Sequence, residues 1–531
     1  MAISELSGAA QRPVVDTGSG PVRGLDDGTA RIFRGIRYAA PPTGALRWRA
    51  PEPPEPWTEP ADALAFGAAA PQPVNPLIDL GPGTRLDEDC LFLNVTTPTG
   101  PPPADGWPVM VWIHGGAYSV GSTSQPVYDG HALIRASAAV GGIVLVTLNY
   151  RLGPLGFLDL SSLNEHLPAG ATTFQSNPAL RDVLLALRWV QDEITAFGGN
   201  PGSVTVFGES AGGGLVTTLL TMPGAAGLFH RAIAESSPAT SMYGARRAAT
   251  VTELFLSGLG LRPEQAGRLR DIPADRLTAA GASLVSAVPA RTPGVLAFAP
   301  VIDGDVLPEH PVDVFAAGRA LPVPLLIGTN KDEASGFARM KSPIMPVEPD
   351  TIAAMLAAVA ADQPEVLMPD EAHIQAAYRD LKQSKVGLGI ARDIGFRMPT
   401  VWVAQGQQQI APTYLYRFDH APLFLELIGI GASHATELPY VFGNLQSRGP
   451  KDLTFKLGGL RAARRLSARM QHRWLSFAAT GVPAALGDGP SWPAYTDDRR
   501  PSMVFDRREH VVDDLDAPLL QAWGKTVLSY R

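Results

Sequence analysis

Five residues at positions 208–212, Gly-Glu-Ser-Ala-Gly, restrict the local fold more tightly than any other part of the sequence. They follow an apolar run with β-branched residues, 204–207, and precede a run of small and apolar residues, 213–220, that favours a helix. A strand that ends in a serine flanked by glycines and continues as a helix is the context of a nucleophile elbow. The two glycines leave room where side chains would collide with the neighbouring strand and helix. The stretch predicts that Ser210 projects above a sheet edge, close to the free N–H groups of a helix N-terminus.

The runs before and after this elbow predict a sheet buried on both faces. Residues 109–113, 143–148 and 323–327 are almost continuously apolar, which is typical of strands covered by helices on both sides. Residues 180–197 have the periodicity of an amphipathic helix. The alternation predicts an α/β protein with a mostly parallel, doubly wound central sheet. Further predicted elements are small antiparallel strands within 12–60, a core strand at 413–418, a long helix at 453–477 and a late edge strand at 502–505.

Two helical, Ala-rich stretches, 251–293 and 349–399, carry no strong strand pattern. We expect them to be insertions that form a cap over the site, within a single domain that spans residues 1–531. The loop 66–86 contains several prolines and no predicted element, which in a compact protein is typical of a functional or rim loop.

Charge and composition exclude several classes of protein. The 531 residues carry a net charge of −7 and are 45% hydrophobic and 18% charged, which favours a globular protein and argues against disorder and nucleic-acid binding. Residues 1–6 lack the basic start and apolar core of a signal peptide, and the longest apolar run, 138–148, is too short to cross a bilayer. Cys90 is the only cysteine, so no intrachain disulfide can form. We expect a soluble, cytoplasmic protein without a nucleic-acid or membrane partner, whose oligomeric state the sequence leaves open.

An elbow serine needs a base, and the base needs an orienting acid; where the serine lies in an elbow of this kind, the chain order is serine, acid, histidine. The strand at 323–327 is followed by an acidic loop at a carboxyl strand end, where either Asp332 or Glu333 could serve as the acid. Asp303 and Asp305 also lie downstream, but an acidic pair around a glycine is more typical of a turn.

Two histidines are equally good candidates for the base. His420 directly follows the predicted strand 413–418, and His434 lies in a loop of small residues, 431–437, that could approach the elbow. Three others lie in a helical insertion, inside the long helix and in a charged tail, which favours structural or solvated roles: His373, His472 and His510.

The remaining requirement is an oxyanion hole. The strand 109–113 is followed by His-Gly-Gly-Ala-Tyr at 114–118, a loop with few side chains to obstruct its backbone. Such a loop can direct N–H groups at a developing oxyanion, and each donor typically contributes ~10²–10³ in rate.

Taken together, motifs along nearly the whole chain resemble the carboxylesterase type B family, which includes the cholinesterases and para-nitrobenzyl esterases. The matching stretches, in the order of the family, are 33–39 with Pro41 and Pro42, 88–95, 112–116, 149–153, 197–201, 207–213, 330–333, and His434 with 437–443.

This resemblance implies an α/β-hydrolase fold and a Ser-His-Glu triad. Ser210 would be the nucleophile, Glu333 the acid and His434 the base. The implied oxyanion donors are the backbone N–H groups of Gly116, Ala117 and Ala211. The implied structural ion pairs are Arg47 with Glu88 and Arg151 with Asp182. No metal or organic cofactor is implied.

Several positions depart from the family pattern. Ala70 stands where the family often has a cysteine bonded to the equivalent of Cys90, and no tryptophan lies between 66 and 90, which argues against choline esters. The acyl-pocket aromatics of acetyl-selective members would fall near Gly294 and Leu296, so the resemblance implies room for acyl groups larger than acetyl. Ala435 replaces the glycine that often follows the histidine.

The expected activity is hydrolysis of small-molecule carboxylic esters through an acyl-enzyme intermediate. There are two alternatives. One is a carbamate or amide hydrolase with the same triad, and the other is a non-catalytic binding or adhesion member of the superfamily.

Overall fold

The computed structural model describes residues 11–76, 78–366, 368–447, 449, 452–525 and 527–531. Its strands are β1 (Val14–Thr17), β2 (Gly20–Arg23), β3 (Leu25–Asp26), β4 (Ala30–Arg37), β5 (Ala61–Asp62), β6 (Phe92–Pro98), β7 (Trp107–Ile113), β8 (Val144–Leu148), β9 (Gly199–Glu209), β10 (Arg231–Glu235), β11 (Tyr243–Gly244), β12 (Val301–Ile302), β13 (Leu325–Asn330), β14 (Thr413–Phe418), β15 (Pro501–Phe505) and β16 (His510–Asp513). The α-helices are α1 (His131–Ser137), α2 (Gly153–Gly156), α3 (Pro178–Glu193), α4 (Ala211–Leu219), α5 (Ala245–Leu259), α6 (Ala274–Arg291), α7 (Pro311–Ala316), α8 (Ala334–Arg339), α9 (Pro349–Asp362), α10 (Glu371–Ala377), α11 (Gln383–Arg392), α12 (Met398–Gln407), α13 (Leu423–Leu427), α14 (Leu438–Phe442), α15 (Leu460–Thr480) and α16 (Ala517–Trp523).

One large mixed sheet organises the molecule. In the described residues it has eleven strands in the order β16-β15-β14-β13-β10-β9-β7-β8-β6-β4-β3. The strands from β8 through β15 pair in parallel, whereas β6, β4 and β3 on one side and β16 on the other pair antiparallel. This confirms the predicted α/β class with a mostly parallel, doubly wound sheet.

Helices cover both faces of the sheet, and β7 shows how the sequence achieves this. Its alternate residues Val109, Val111 and Ile113 pack into the hydrophobic cluster that includes α3 and α4, while Met110 and Trp112 pack against α14 and α15. Successive side chains of a strand point to opposite faces, so a strand covered on both faces is apolar at nearly every position.

The two Ala-rich stretches are helical, as their composition predicts. The first contains most of α5, a 3₁₀ segment at Pro263–Asp271 and α6. The second contains α9, α10 and α11, which runs through a π-helical segment at Asp393–Arg397 into α12. Both stretches reach the cavity described below.

Two predicted elements have different bounds in the structure. The long helix predicted at 453–477 begins at Leu460, because Gly458 and Gly459 adopt φ values of 91° and 92° and interrupt the chain before it. The strand predicted as an edge at 502–505 is not an edge, because β16 pairs antiparallel beyond it.

Buried ion pairs fix the loops at the carboxyl ends of the strands. Arg151 Nε and Nη2 donate to the fully buried Asp182 at 2.8 and 2.6 Å, and Arg47 pairs with Glu88. Both pairs that the resemblance implies are therefore present. Cys90 is buried and free. Within the described part of the chain, every helix is too short or too polar to cross a bilayer.

Candidate active site

Ser210 occupies a strained turn between β9 and α4. Its φ and ψ are 56° and −124°, a region that non-glycine residues rarely adopt. A Cβ on Gly212 would lie 2.0 Å from the Ile113 carbonyl oxygen, and one on Gly208 would lie 2.7 Å from the same atom. The glycines are required because strand β7 and the first turn of α4 pass so close to the elbow. Ser210 lines the large cavity above the sheet.

The 114–118 loop lies directly against this elbow. A Cβ on Gly115 would come within 3.0 Å of Ser210 Cβ, and one on Gly116 would lie 1.9 Å from the Val120 carbonyl oxygen. Gly116 and Ala117 have φ values of 120° and 50°, so the loop turns tightly with little side-chain obstruction. Gly116, Ala117 and Ala211 all line the same cavity as Ser210.

His114 supports this loop as a neutral side chain. Its ring stacks on Tyr150 with centroids 4.5 Å apart, and the Tyr150 hydroxyl donates to the His114 carbonyl at 2.6 Å. Burial lowers the pKa of His114 to about 4, so the imidazole carries no charge at neutral pH.

His434 and Glu333 meet at the base of the cavity. His434 Nδ1 lies 2.6 Å from Glu333 Oε2, and the other carboxylate oxygen accepts from the Ser236 hydroxyl at 2.5 Å and the Asn330 N–H at 2.7 Å. Glu333 is completely buried. Its carboxylate is therefore held in one orientation and fixes the tilt of the imidazole ring.

The other ring nitrogen faces a second carboxylate. His434 Nε2 lies 3.2 Å from Glu209 Oε1, and in the described structure it has no hydrogen-bond partner. Ser210 and His434 line the same cavity, but no hydrogen bond joins the Ser210 hydroxyl to His434 Nε2. The hydrogen bond between a nucleophile and its base is often long or poorly aligned before substrate binds, and it tightens in the complex.

Two aromatic rings confine the imidazole. The Phe396 and Phe337 ring centroids lie 4.6 and 5.1 Å from that of His434. Phe337 lies on α8, four residues after Glu333, and Phe396 lies in the π-helical segment between α11 and α12. Such π-helical segments are frequent at functional sites.

A cluster of buried glutamates sets the electrostatics of the site. Burial raises the pKa of Glu209 to about 7. The nearby His434 lowers this pKa, and the nearby Glu333 raises it further. Burial raises the pKa of Glu235 to about 8, and it also raises the pKa of Glu437. Burial opposes charge on His434 as well, but Glu209 and Glu333 outweigh it, so the pKa of His434 is raised.

The structure separates the alternatives that the residues alone left open. Asp332 accepts from the Ala432 N–H at 3.1 Å, and its neighbour Glu333 is the carboxylate that meets His434. His420 is buried beside Asp506, with 3.4 Å between Nδ1 and Oδ1. Asp303 accepts from its own turn, from Ser176 and from Asn177, as expected of a turn residue.

Sequence reasoning missed Glu209 and Phe396. Glu209 lies inside the elbow motif at the end of β9. Because successive side chains of a strand point to opposite faces, the sequence indicates only that Glu209 and its neighbours point in opposite directions. Phe396 contacts His434 from the helical stretch 349–399. The sequence gives no indication of this contact.

The cavity above the site has a volume of about 970 Å³. Its walls come from the 66–86 loop, from α6 and α9, from the π-helical segment and from residues 340–346. They are largely apolar, with side chains such as Ile344, Met345, Met355 and Ile394. A cavity of this size accommodates a drug-sized ligand.

The model of the carboxylesterase family matches residues 11–523. The chain belongs to the carboxylesterase family.

Individual relatives cover almost all of this carboxylesterase. It is 38% identical over 507 residues to the para-nitrobenzyl esterase of Bacillus subtilis (strain 168), covering 94% of this chain and 96% of the relative. It is 34% identical over 544 residues to pyrethroid hydrolase Ces2e of Rattus norvegicus, covering 97% and 90%. A solved structure named a thermophylic PNB esterase superposes with a TM-score of 0.83 at 36% identity, covering 96% of this chain and 99% of that one. The fold is thus the α/β-hydrolase fold, and the chain is a carboxylic ester hydrolase.

Proposed function

We propose that this carboxylesterase hydrolyses its esters through an acyl-enzyme on Ser210, with His434 as general base and Glu333 as the acid that orients it. One observation carries the proposal: His434 Nδ1 lies 2.6 Å from a buried Glu333 oxygen, in a cavity that also exposes the strained elbow serine. An elbow nucleophile, an imidazole and an orienting carboxylate form the constellation needed for acyl transfer.

In the first half of the reaction, the Ser210 hydroxyl attacks the ester carbonyl carbon while His434 Nε2 takes its proton. Glu333 holds the Nδ1–H tautomer and stabilises the imidazolium that forms. The tetrahedral oxygen accepts from the N–H groups of Gly116, Ala117 and Ala211. His434 then gives the proton to the departing alkoxide, and the alcohol leaves.

In the second half, water attacks the acyl-enzyme. His434 takes a proton from this water, the same N–H groups bind the second tetrahedral oxygen, and the proton returns to Ser210 as the acid is released. Every proton passes through one imidazole, so no other acid or base is required.

We propose that the cavity accepts acyl groups larger than acetyl. Gly294 and Leu296, where the resemblance places the acyl pocket, both line the cavity, and neither carries an aromatic ring. The largely apolar walls favour uncharged ester substrates.

The test is hydrolysis of para-nitrophenyl acetate, butyrate and octanoate by the wild type and by Ser210→Ala. Turnover should be lost in the variant, and butyrate or octanoate should exceed acetate in kcat/KM. The matched control is Ser286→Ala, an exposed serine of α6 that lines the same cavity; it should retain wild-type turnover. Turnover that survives in Ser210→Ala contradicts the proposal, and a wild type that cleaves a matched anilide faster than the ester contradicts the assignment of esters as preferred substrates.

A further inference from the structure

The last described residues, 527–531, lie beyond the part of the chain that the carboxylesterase family model matches. They carry no regular secondary structure, yet they are not solvated: Val527, Leu528, Ser529 and Tyr530 are 8%, 4%, 3% and 7% exposed. A segment without backbone ladders is ordinarily exposed, so its burial needs specific contacts.

Polar contacts fasten this segment to the helices around the cavity. The Tyr530 hydroxyl donates to the Pro293 carbonyl at 2.5 Å, just after α6. The Arg531 guanidinium donates to both Asp313 oxygens at 2.6 and 3.0 Å, and the Arg531 N–H donates to Asp362 Oδ2 at 3.1 Å. The segment is thereby tied to α7 and to the end of α9.

A cation and a further hydrogen bond complete the attachment. The Arg247 guanidinium lies 4.7 Å from the centre of the Tyr530 ring and also pairs with Asp362. The Ser529 N–H donates to Gln363 Oε1 at 3.3 Å. A partly desolvated cation over a ring stabilises such a contact.

The inner face of the same segment forms part of the cavity wall. Leu528, Ser529 and Tyr530 line the cavity that contains Ser210. A Cβ on Gly294 would lie 2.8 Å from Met355 Sδ and 3.7 Å from Tyr530 Cε2. The space beside Gly294 is therefore bounded by α9 on one side and by the 527–531 segment on the other.

We propose that the 527–531 segment is a specificity wall, in which Leu528 and Tyr530 set the length of the apolar ester group that the enzyme accepts. This inference rests on the proposed function of Ser210. Selectivity for chain length depends on the fit of individual methylene groups, and one misfitted methylene changes kcat/KM by about 10- to 200-fold. Leu528 is the sharpest probe because its aliphatic side chain holds none of the polar contacts that fasten the segment.

The experiment compares Leu528→Ala with Leu528→Phe in two series of esters. One series varies the acyl group of para-nitrophenyl esters from acetyl to decanoyl, and the other varies the alkyl group of butyrate esters over the same lengths. Leu528→Ala should raise the ratio of kcat/KM for long over short substrates by about tenfold in one series, and Leu528→Phe should lower it by about tenfold. The series that shifts identifies the ester group that meets the wall.

The matched control is Leu284→Ala. Leu284 is 3% exposed and lies on α6, but it is not among the cavity-lining residues. It should lower stability about as much as Leu528→Ala while leaving both ratios unchanged. Thermal unfolding of each variant establishes that it is folded, and either Leu528 variant alone suffices if the other does not fold.

The outcomes separate this inference from the proposed function. If Ser210→Ala abolishes turnover but both Leu528 variants keep the wild-type ratios in both series, the specificity wall is wrong and the catalytic assignment stands. If Leu284→Ala shifts the ratios as much as Leu528→Ala does, the effect is general loosening and the inference is overturned.

Discussion

His434 is held between two carboxylates, and the two have different roles. Glu333 Oε2 lies 2.6 Å from Nδ1, and Ser236 and Asn330 hold the other oxygen of this carboxylate. Glu209 Oε1 lies 3.2 Å from Nε2, the nitrogen that receives the serine proton in the proposed mechanism. In that mechanism Glu333 orients the ring, while Glu209, when ionised, places a negative charge beside the base. The two contributions can be measured separately.

Glu333→Gln should lower kcat/KM by about 10³- to 10⁴-fold, because an amide cannot stabilise the imidazolium and can select the wrong tautomer. Asp332→Asn is the matched control, because the Asp332 carboxylate accepts from the Ala432 N–H and does not contact His434. The kcat/KM of this variant should stay within a few-fold of the wild-type value. Steady-state kinetics with para-nitrophenyl butyrate measure kcat/KM for both variants. Equal losses in both variants would exclude Glu333 as the specific orienting acid.

The pH profile should report the charge of Glu209. The raised pKa of His434 means that kcat/KM falls on acidification with a midpoint above the ordinary histidine value of about 6.5, since only the neutral ring is a base. Glu209→Gln removes a carboxylate that raises this pKa, so the midpoint should move to lower pH. Rates from pH 5 to 9 check this. A midpoint that stays in place in Glu209→Gln, or moves to higher pH, would contradict the role of Glu209.

For single residues, the sequence predicts the proposed nucleophile and oxyanion loop better than their surroundings. The elbow pattern and the Gly-rich loop identify Ser210 and the 114–118 loop locally, because strand, turn and helix are all encoded within a few residues. The choice between His420 and His434 is not local: it depends on which loop bends back to the elbow, and here the family resemblance, not the residue pattern, favoured His434.

Among the secondary-structure elements, the β9–α4 turn has little tolerance for added side-chain atoms. A Cβ on Gly212 would lie 2.0 Å from a backbone oxygen of β7, which cannot move without disrupting the sheet. We expect Gly212→Ala to lower the free energy of unfolding by about 4 kcal/mol or more, or to prevent folding. Gly224→Ala is the control, because its nearest contact would be a leucine methyl at 3.8 Å; it should be neutral or stabilising by up to about 1 kcal/mol. Urea unfolding midpoints measure both, and equal midpoints would contradict the packing argument.

The bounds of an element can be predicted from the sequence where most of its residues are buried. They cannot be predicted as well where most of its residues are exposed. The core strand predicted at 413–418 coincides with β14, in which every residue except Arg417 is buried between the two layers. The sequence pattern predicts a start of α15 seven residues before the observed one, because Leu453 and Leu457 continue the apolar pattern of the helix. In the structure both side chains are about half exposed. The short β16, with polar residues at both ends, has no distinctive pattern.

For the molecule as a whole, the buried carboxyl groups link stability to pH. Glu235 lies at the end of β10, accepts from Trp474 Nε1 at 2.8 Å, and has a pKa raised by burial to about 8. Its unfolded pKa is about 4.3, so the stability it contributes is complete below that value and is lost as pH rises through about 8.

Glu235→Gln should therefore reduce the loss of stability between pH 6 and pH 9, because the amide keeps the Trp474 contact and cannot ionise. Wild-type Tm should fall by a few degrees over this range and the variant's Tm by less. The exposed Glu264→Gln should behave like wild type. Differential scanning calorimetry at both pH values tests this, and an equal decline in wild type and Glu235→Gln would show that Glu235 is already ionised in the folded protein at pH 6.

The cavity is the feature least accessible to sequence reasoning. Its walls combine the 66–86 loop, α6, α9, the π-helical segment and the 527–531 segment, which are separated by long stretches of chain. The composition of the two Ala-rich stretches predicts helices there, but the shape between them depends on contacts such as Met355 and Tyr530 beside Gly294. The chain-length selectivity that we propose would therefore depend on the whole fold.

The most direct test of the central claim is to trap the acyl-enzyme and locate it. The protein is mixed with para-nitrophenyl butyrate, quenched in acid within milliseconds, and analysed by intact mass and peptide mapping. We expect a burst of para-nitrophenolate, one added butyryl group per chain on the peptide that contains Ser210, and no such adduct in Ser210→Ala. A butyryl group on another residue, or full turnover with no adduct on Ser210 under any quench, would contradict it.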